Sequence, residues 1–145
     1  MKIMAVDYGA ARTGLALCDR TEFLASPLGV IHEKDFAKTM TQIVYTVKEY
    51  GVEAIVVGYP LNMDGSAGEK AQLCERVADT LRKLLGIPVE LWDERQTTMQ
   101  AAGYLNQTNV RGKKRKEVID EVAATIILES YLAYRKNQKE KAENA

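Results

Sequence analysis

The chemistry this sequence offers rests on acids at three separate places. Asp7 ends a short apolar run, Lys2 to Val6, and is followed by Tyr8-Gly9. An ionised carboxylate on a buried strand costs several kcal/mol of desolvation unless a partner offsets it. Strand ends that open into a cleft are where ligands sit in α/β sheets. The competing reading is an Asx-turn residue that opens a hairpin. Asp93-Glu94 ends another apolar run, Pro88 to Trp92, and precedes Arg95. Neighbours on an extended chain point to opposite faces, so only one of the two can face Asp7 without a bend. If the two runs lie two strands apart, the gap is about 10 Å. A glutamate spans that better than an aspartate, which favours Glu94 and leaves Asp93 as its substitute. The competing reading here is a solvated loop with an ion pair to Arg95. At 100° per residue, Asp120 falls on one stripe with Ala123, Ala124, Ile127, Tyr131 and Tyr134. An acid on a packing stripe is unusual. Two alanines one turn later would let the helix approach a sheet closely. The plainer alternative is a first-turn acid favoured by the helix dipole.

Three acids at one spot repel one another and raise each other's pKa. A divalent cation removes that penalty. His32 is the sole histidine, which argues against a histidine zinc site and a Ser-His-Asp mechanism. Oxygen ligands alone favour Mg²⁺ or Mn²⁺. Two such ions about 3.5–4 Å apart can activate a water and stabilise the leaving oxygen of a phosphodiester.

The cations are concentrated. Arg111, Lys113, Lys114, Arg115 and Lys116 fall within six residues, and the remainder of the chain carries fifteen basic against twenty acidic residues. A basic loop just before the helix bearing Asp120 suits a phosphate backbone; the alternative is a solvated charge run. The segment from Val57 to Ser66 leaves its strand at the same edge. Gly58 and Pro60 shape a turn there. Asn62 and Asp64 either touch substrate or make the turn, and Tyr59 could stack on a base. His32 and Trp92 read as structural.

The elements that must position these residues follow from periodicity. Lys2 to Val6, Arg12 to Cys18 and Leu28 to Ile31 are three short strands in succession, an antiparallel meander. Asp35 caps a helix to Tyr50, ended by Gly51. Ala54 to Val57 is a bare apolar strand buried on both faces. Ser66-Ala-Gly-Glu69 reads as a capping box for a helix to Leu85, stopped by Gly86. Pro88 to Trp92 is the fifth strand. Thr97 to Gln100 caps a short helix to Leu105, and a long helix runs from about Glu117 to Arg135. Meander strands followed by strand–helix alternation give a five-stranded mixed sheet, order 3-2-1-4-5, with helices on both faces. Asp7 then stands on the central strand.

The 145 residues suit one domain, residues 1–136, with a polar tail from 137 to 145 that is expected to fray. No apolar run approaches the ~20 residues that cross a bilayer, and the first residues, MKIMAVDYG, carry no secretory pattern. A cytoplasmic protein is expected, with no membrane partner. Cys18 and Cys74 read as buried thiols.

The blocks VDYGAARTGLALCD, VVGYPLNMDGS, WDERQTT and RKEVIDEVAATIILESYL resemble, in order and spacing, the YqgF/RuvX-like family, over roughly residues 2–134. That family was first linked to Holliday-junction resolution and then to maturation of the 16S ribosomal RNA precursor. The resemblance implies an RNase H-like fold, a bacterial cytoplasmic location and Mg²⁺- or Mn²⁺-dependent phosphodiester hydrolysis. By position it puts the family's acids on Asp7, on Asp93 or Glu94, and on Asp120. Nucleases of the broader fold carry an acid at the end of the fourth strand. Gly58 stands there in this chain, so the fifth-strand acid would substitute.

Three functional classes follow. In a nuclease, Asp7 and Asp120 anchor metals and Glu94 completes the shell, while Arg12, Arg95 and the basic segment hold phosphates. Ribosomal RNA precursor leads as substrate and a four-way DNA junction follows. The protein would be a monomer or homodimer, and a dimer would favour the junction, whose two symmetric cuts need two sites. In a nucleotide-binding ATPase or kinase, Asp7 to Gly14 would be a phosphate loop of the actin/sugar-kinase kind, but the second domain that closes such sites is missing. A non-catalytic RNA- or ribosome-binding module would need only the basic segment and tyrosines.

Overall fold

A computed structural model describes residues 1–96 and 112–144, with backbone alone for residues 96, 112–118 and 121. The short helix expected between Thr97 and Leu105 lies outside the described residues, as does Arg111. The elements are β1 (Ile3–Asp7), β2 (Arg12–Cys18), β3 (Ala25–His32), α1 (Phe36–Tyr50), β4 (Ala54–Tyr59), α2 (Glu69–Leu85), β5 (Val89–Asp93), a 3-10 turn (Glu94–Gln96) and α3 (Gly112–Glu143).

One sheet, order β3-β2-β1-β4-β5, organises them, as expected from the sequence. The β1–β2 and β2–β3 pairs are antiparallel; β1–β4 and β4–β5 are parallel. β1 is central, and Ile3, Met4, Ala5 and Val6 are all buried. Alternation splits each strand between two cores. Met4, Val6, Leu15, Ile55 and Val57 face α1 and α2, packing on Met40, Ile43, Val47, Val77 and Leu81. Ile3, Ala5, Ala16, Cys18, Ala54 and Val56 face α3, packing on Ala124, Ile127, Leu128, Tyr131 and Leu132. The α3 stripe thus holds at Ala124, Ile127 and Tyr131, while Tyr134 is exposed.

Local rules set the helix ends. Asp35 Oδ1 accepts from the Lys38 amide at 2.9 Å and caps α1. Gly51 and Gly86 end α1 and α2 in the left-handed conformation. The capping box expected at Ser66 does not form: Gly68 is the N-cap of α2 and gives no side-chain bond. Asp64 takes Ser66 first, accepting from its amide at 2.9 Å and its hydroxyl at 2.6 Å.

α3 is longer than the sequence suggested at both ends. It begins at Gly112, so residues 113–116 of the basic run sit in its first turns rather than in a loop. It also continues to Glu143, through most of the segment expected to fray. Lys, Arg, Glu and Gln are good helix formers, so a charged run continues a helix as readily as it leaves one. Further along, Arg135 Nε donates to Glu22 Oε1 at 2.6 Å and ties α3 to the β2–β3 connection. The arginine holds the Glu22 carboxyl down at about 2.

β3 starts at Ala25, earlier than expected, and includes Pro27. An outermost strand tolerates a proline. Its register shifts between Gly29, opposite Leu15, and Pro27, opposite Ala16, leaving Leu28 as the extra residue of a bulge. Cys18 and Cys74 are buried free thiols, and burial pushes Cys74 up to about 12.

Candidate active site

Asp7 and Glu94 meet on the α3 face of the sheet, at one end, with Asp120 nearby. Asp7 continues the Ile3–Ala5 alternation and so belongs to that face. Its partner across β1–β2 is Gly14. A Cβ on Gly14 would collide with the backbone carbonyl of Asp120. The missing side chain therefore lets α3 settle on β2 beside Asp7, carrying Asp120 with it. On the other flank, Gly58 follows the Val6–Val57 pair in β4. A Cβ there would lie 2.6 Å from Glu94 Oε1 and 2.8 Å from Ile127 Cδ1. Glu94 thus reaches over Gly58 toward β1. Glycine inside a strand marks such close approaches.

Asp7 and Glu94 share a hydrogen bond, so one of them carries a proton. The Asp7 carboxyl is pushed up to about 8. Burial is the main cause, followed by the negative charge of Glu94; Lys70 opposes the shift, and Asp120 adds to it. Glu94 is raised by its own burial, against the hydrogen bond from Asp7 and the charge of Lys70. Asp120 is half-buried, and its Oδ2 accepts from Arg12 Nε at 2.7 Å. Among the described residues, no three histidine, cysteine, aspartate or glutamate side chains are gathered closely enough to hold a metal ion.

The residues singled out from the sequence divide accordingly. Asp7 and Glu94 come together, with Asp120 near enough for its charge to be felt at Asp7. Asp93 is occupied elsewhere. Arg95 grips it with Nε at 2.9 Å and Nη2 at 2.6 Å, and holds its carboxyl below the usual range. Arg95 is thus ion-paired to Asp93 at the mouth of β5. Arg12 borders the site through Asp120. Lys113, Lys114, Arg115 and Lys116 lie at the start of α3 with side chains outside the description. The Tyr59 hydroxyl donates to Glu75 Oε1 at 2.9 Å. Asn62 and Asp64 build the turn with Ser66. Trp92 packs between Tyr131 and Tyr134, at 5.5 and 5.3 Å, and is structural as expected. Lys70, in the first turn of α2, is the functional candidate that sequence reasoning missed. Its one signal is a cation at the helix start that follows β4.

The sheet order and helix placement define an RNase H-like fold. Two solved structures share it. RuvC of Thermus thermophilus, solved in complex with a Holliday junction substrate, superposes with a TM-score of 0.60 at 15% identity, covering 94% of this chain and 96% of RuvC. Fowlpox virus resolvase, solved with Holliday junction DNA, gives a TM-score of 0.56 at 14% identity over 92% and 98% of the two chains.

The sequence is more specific. The profile of the RuvX family, described as a Holliday junction resolvase, matches residues 1–134, and this chain belongs to that family. Relatives called "Putative pre-16S rRNA nuclease" include one from Halothermothrix orenii, 44% identical over 135 residues that cover 93% of this chain and 96% of the relative. Another, from Bacillus cytotoxicus, is 40% identical over 134 residues, 91% and 98% of the two chains.

Proposed function

We propose that this chain is a divalent-metal-dependent endonuclease that hydrolyses phosphodiester bonds during 5′-end maturation of the 16S ribosomal RNA precursor in the bacterial cytoplasm. The observation that carries the reading is the half-buried Asp7–Glu94 pair, two carboxyls brought together where Gly58 lets Glu94 cross β4 toward β1. A fold stabilised for its own sake has no use for two carboxyls held against each other, since like charges there raise each other's pKa. Two hard oxygen donors facing each other, with Asp120 close by, fit Mg²⁺ or Mn²⁺.

Asp7 is the deepest donor, fixed by the central strand, and Glu94 is the reaching one. Asp120 is the third donor, delivered by α3. When bound, the cation supplies the charge that replaces the shared proton, activates water and stabilises the leaving oxygen. Arg12 and Lys70 flank the acids and meet the phosphate groups of the strand being cut. The start of α3 extends that cationic border along the backbone of the nucleic acid. The names of the relatives favour ribosomal RNA precursor as the substrate. The junction complexes of the fold neighbours support four-way DNA as the second reading.

Cleavage of both substrates, with and without Mn²⁺, tests this. The wild type should cut one of them only with the metal. Asp7→Asn should lose about a thousandfold in rate, the effect of removing several kcal/mol of transition-state stabilisation, and Asp120→Asn should lose at least tenfold. Full-rate cleavage by both variants would overturn the proposal.

A further inference from the structure

The Arg12–Asp120 ion pair holds Asp120 in a place that the nuclease reading does not require. We propose that Arg12 is a latch on Asp120, holding its carboxylate out of the cation site until a phosphodiester group of the substrate takes the guanidinium. The inference rests on the metal-dependent reading given above.

Three observations carry it. First, two of the three acids already touch, yet no three described donors are gathered closely enough to hold a metal ion. The acid still to be delivered is Asp120, and its Oδ2 is taken by Arg12 Nε at 2.7 Å. Second, the backbone of Asp120 is seated on β2, where Gly14 leaves no room for even a Cβ. Delivery of this carboxylate therefore needs a side-chain rotation and no helix movement, which is a fast event. Third, Arg12 is the more exposed partner, at 35% against 17% for Asp120. It faces the solvent from which a nucleic acid arrives. A guanidinium binds phosphate oxygens in bidentate fashion at least as well as a carboxylate, and a strand presents phosphates in a row. Arg12 is thus a positioning residue as well as a phosphate contact. An unloaded protein keeps an incomplete cation site, and substrate completes it.

Such a device makes cation and nucleic acid bind cooperatively, each strengthening the other by the same factor. Mn²⁺ affinity, read by electron paramagnetic resonance of the free ion, tests it. The probes are Mn²⁺ alone and Mn²⁺ with a cleavage-resistant phosphorothioate RNA hairpin. The hairpin should tighten Mn²⁺ binding to the wild type about tenfold, within the usual range of site-to-site coupling. Arg12→Gln without RNA should already bind Mn²⁺ at that tighter value. Asp120→Asn covers the case in which Arg12→Gln fails to fold: it should bind Mn²⁺ like the unloaded wild type and gain nothing from the hairpin. The latch is overturned if Arg12→Gln binds Mn²⁺ no tighter than the wild type. It is equally overturned if the hairpin tightens binding to Asp120→Asn by the wild-type factor. Absence of Mn²⁺ binding in every protein, with and without RNA, would remove both the latch and the metal-dependent reading beneath it.

Discussion

The two faces of the sheet are built from the same strands and do different work. On the α1–α2 face the strands present Met4, Val6, Leu15, Ile55 and Val57. On the α3 face they present Ala5, Gly14, Ala16, Ala54 and Gly58 among few larger residues. Large side chains hold two helices at ordinary packing distance and bury the most apolar area, so stability is concentrated there. Small ones let one helix come close enough for its Asp120 backbone to touch β2, and they leave room for Glu94 to cross β4. Proximity is bought on this face at the expense of buried area. Residues one position apart in a strand therefore answer to different constraints: volume on one side, absence of volume on the other.

The largest expected effect separates the faces outright. Ile55→Ala, on the α1–α2 face, should cost about 2–5 kcal/mol of stability, the range for deleting a buried isoleucine side chain to its Cβ. Urea unfolding measures it. Cleavage per folded molecule should stay within about twofold of the wild type, and a larger drop would break the division of labour.

The next effect has the opposite sign. Asp7 has a folded value of about 8 against an ordinary 3.8. Between those values the folded state keeps a proton that the unfolded chain gives up. Stability of the metal-free protein therefore falls as pH rises from about 4 to 8, with the full loss present above 8. Glu94, also raised, adds to the same trend. Asp7→Asn should flatten that slope and stabilise the metal-free protein at pH 8 by on the order of a few kcal/mol, read as a higher Tm across a pH series. A wild-type Tm that climbs over this window would contradict the raised Asp7.

The smallest effect sharpens the α3 side. Gly14→Ala adds one methyl, yet it meets a backbone carbonyl that cannot step aside. It should cost about 1–3 kcal/mol by overpacking and lower cleavage by more than its loss of folded protein explains. Thermal melts set beside rates per folded molecule measure both.

The sequence carried much of this arrangement because strand alternation and helix caps are local. Asp35 and Gly51 bound α1 through their own chemistry, and the apolar runs set the strand order. Parity said that only one of Asp93 and Glu94 could face Asp7, and the longer arm of glutamate picked Glu94; Arg95 takes the aspartate as a loop ion pair would. Three features stayed hidden for distinct reasons. Ser66 was free to cap α2 on paper, but Asp64, two residues away, competes for its hydroxyl and amide. The basic run looked like a loop because charge says nothing against a helix. Lys70 acts on Asp7 and Glu94 across the fold, and no spacing in the chain encodes that. The glycines were visible, but not what they make room for: Gly58 read as a turn residue, whereas the structure has Glu94 and Ile127 above it.

The bulge at Leu28 reaches beyond the fold. Every open sheet ends in a row of unpaired peptide groups that can recruit another chain, the first step toward amyloid. Here that outer strand contains Pro27, which has no N–H to donate, beside a kink that skews the neighbouring peptides. At the opposite border, β5 is only five residues long. Both margins are poor templates for intermolecular strand addition.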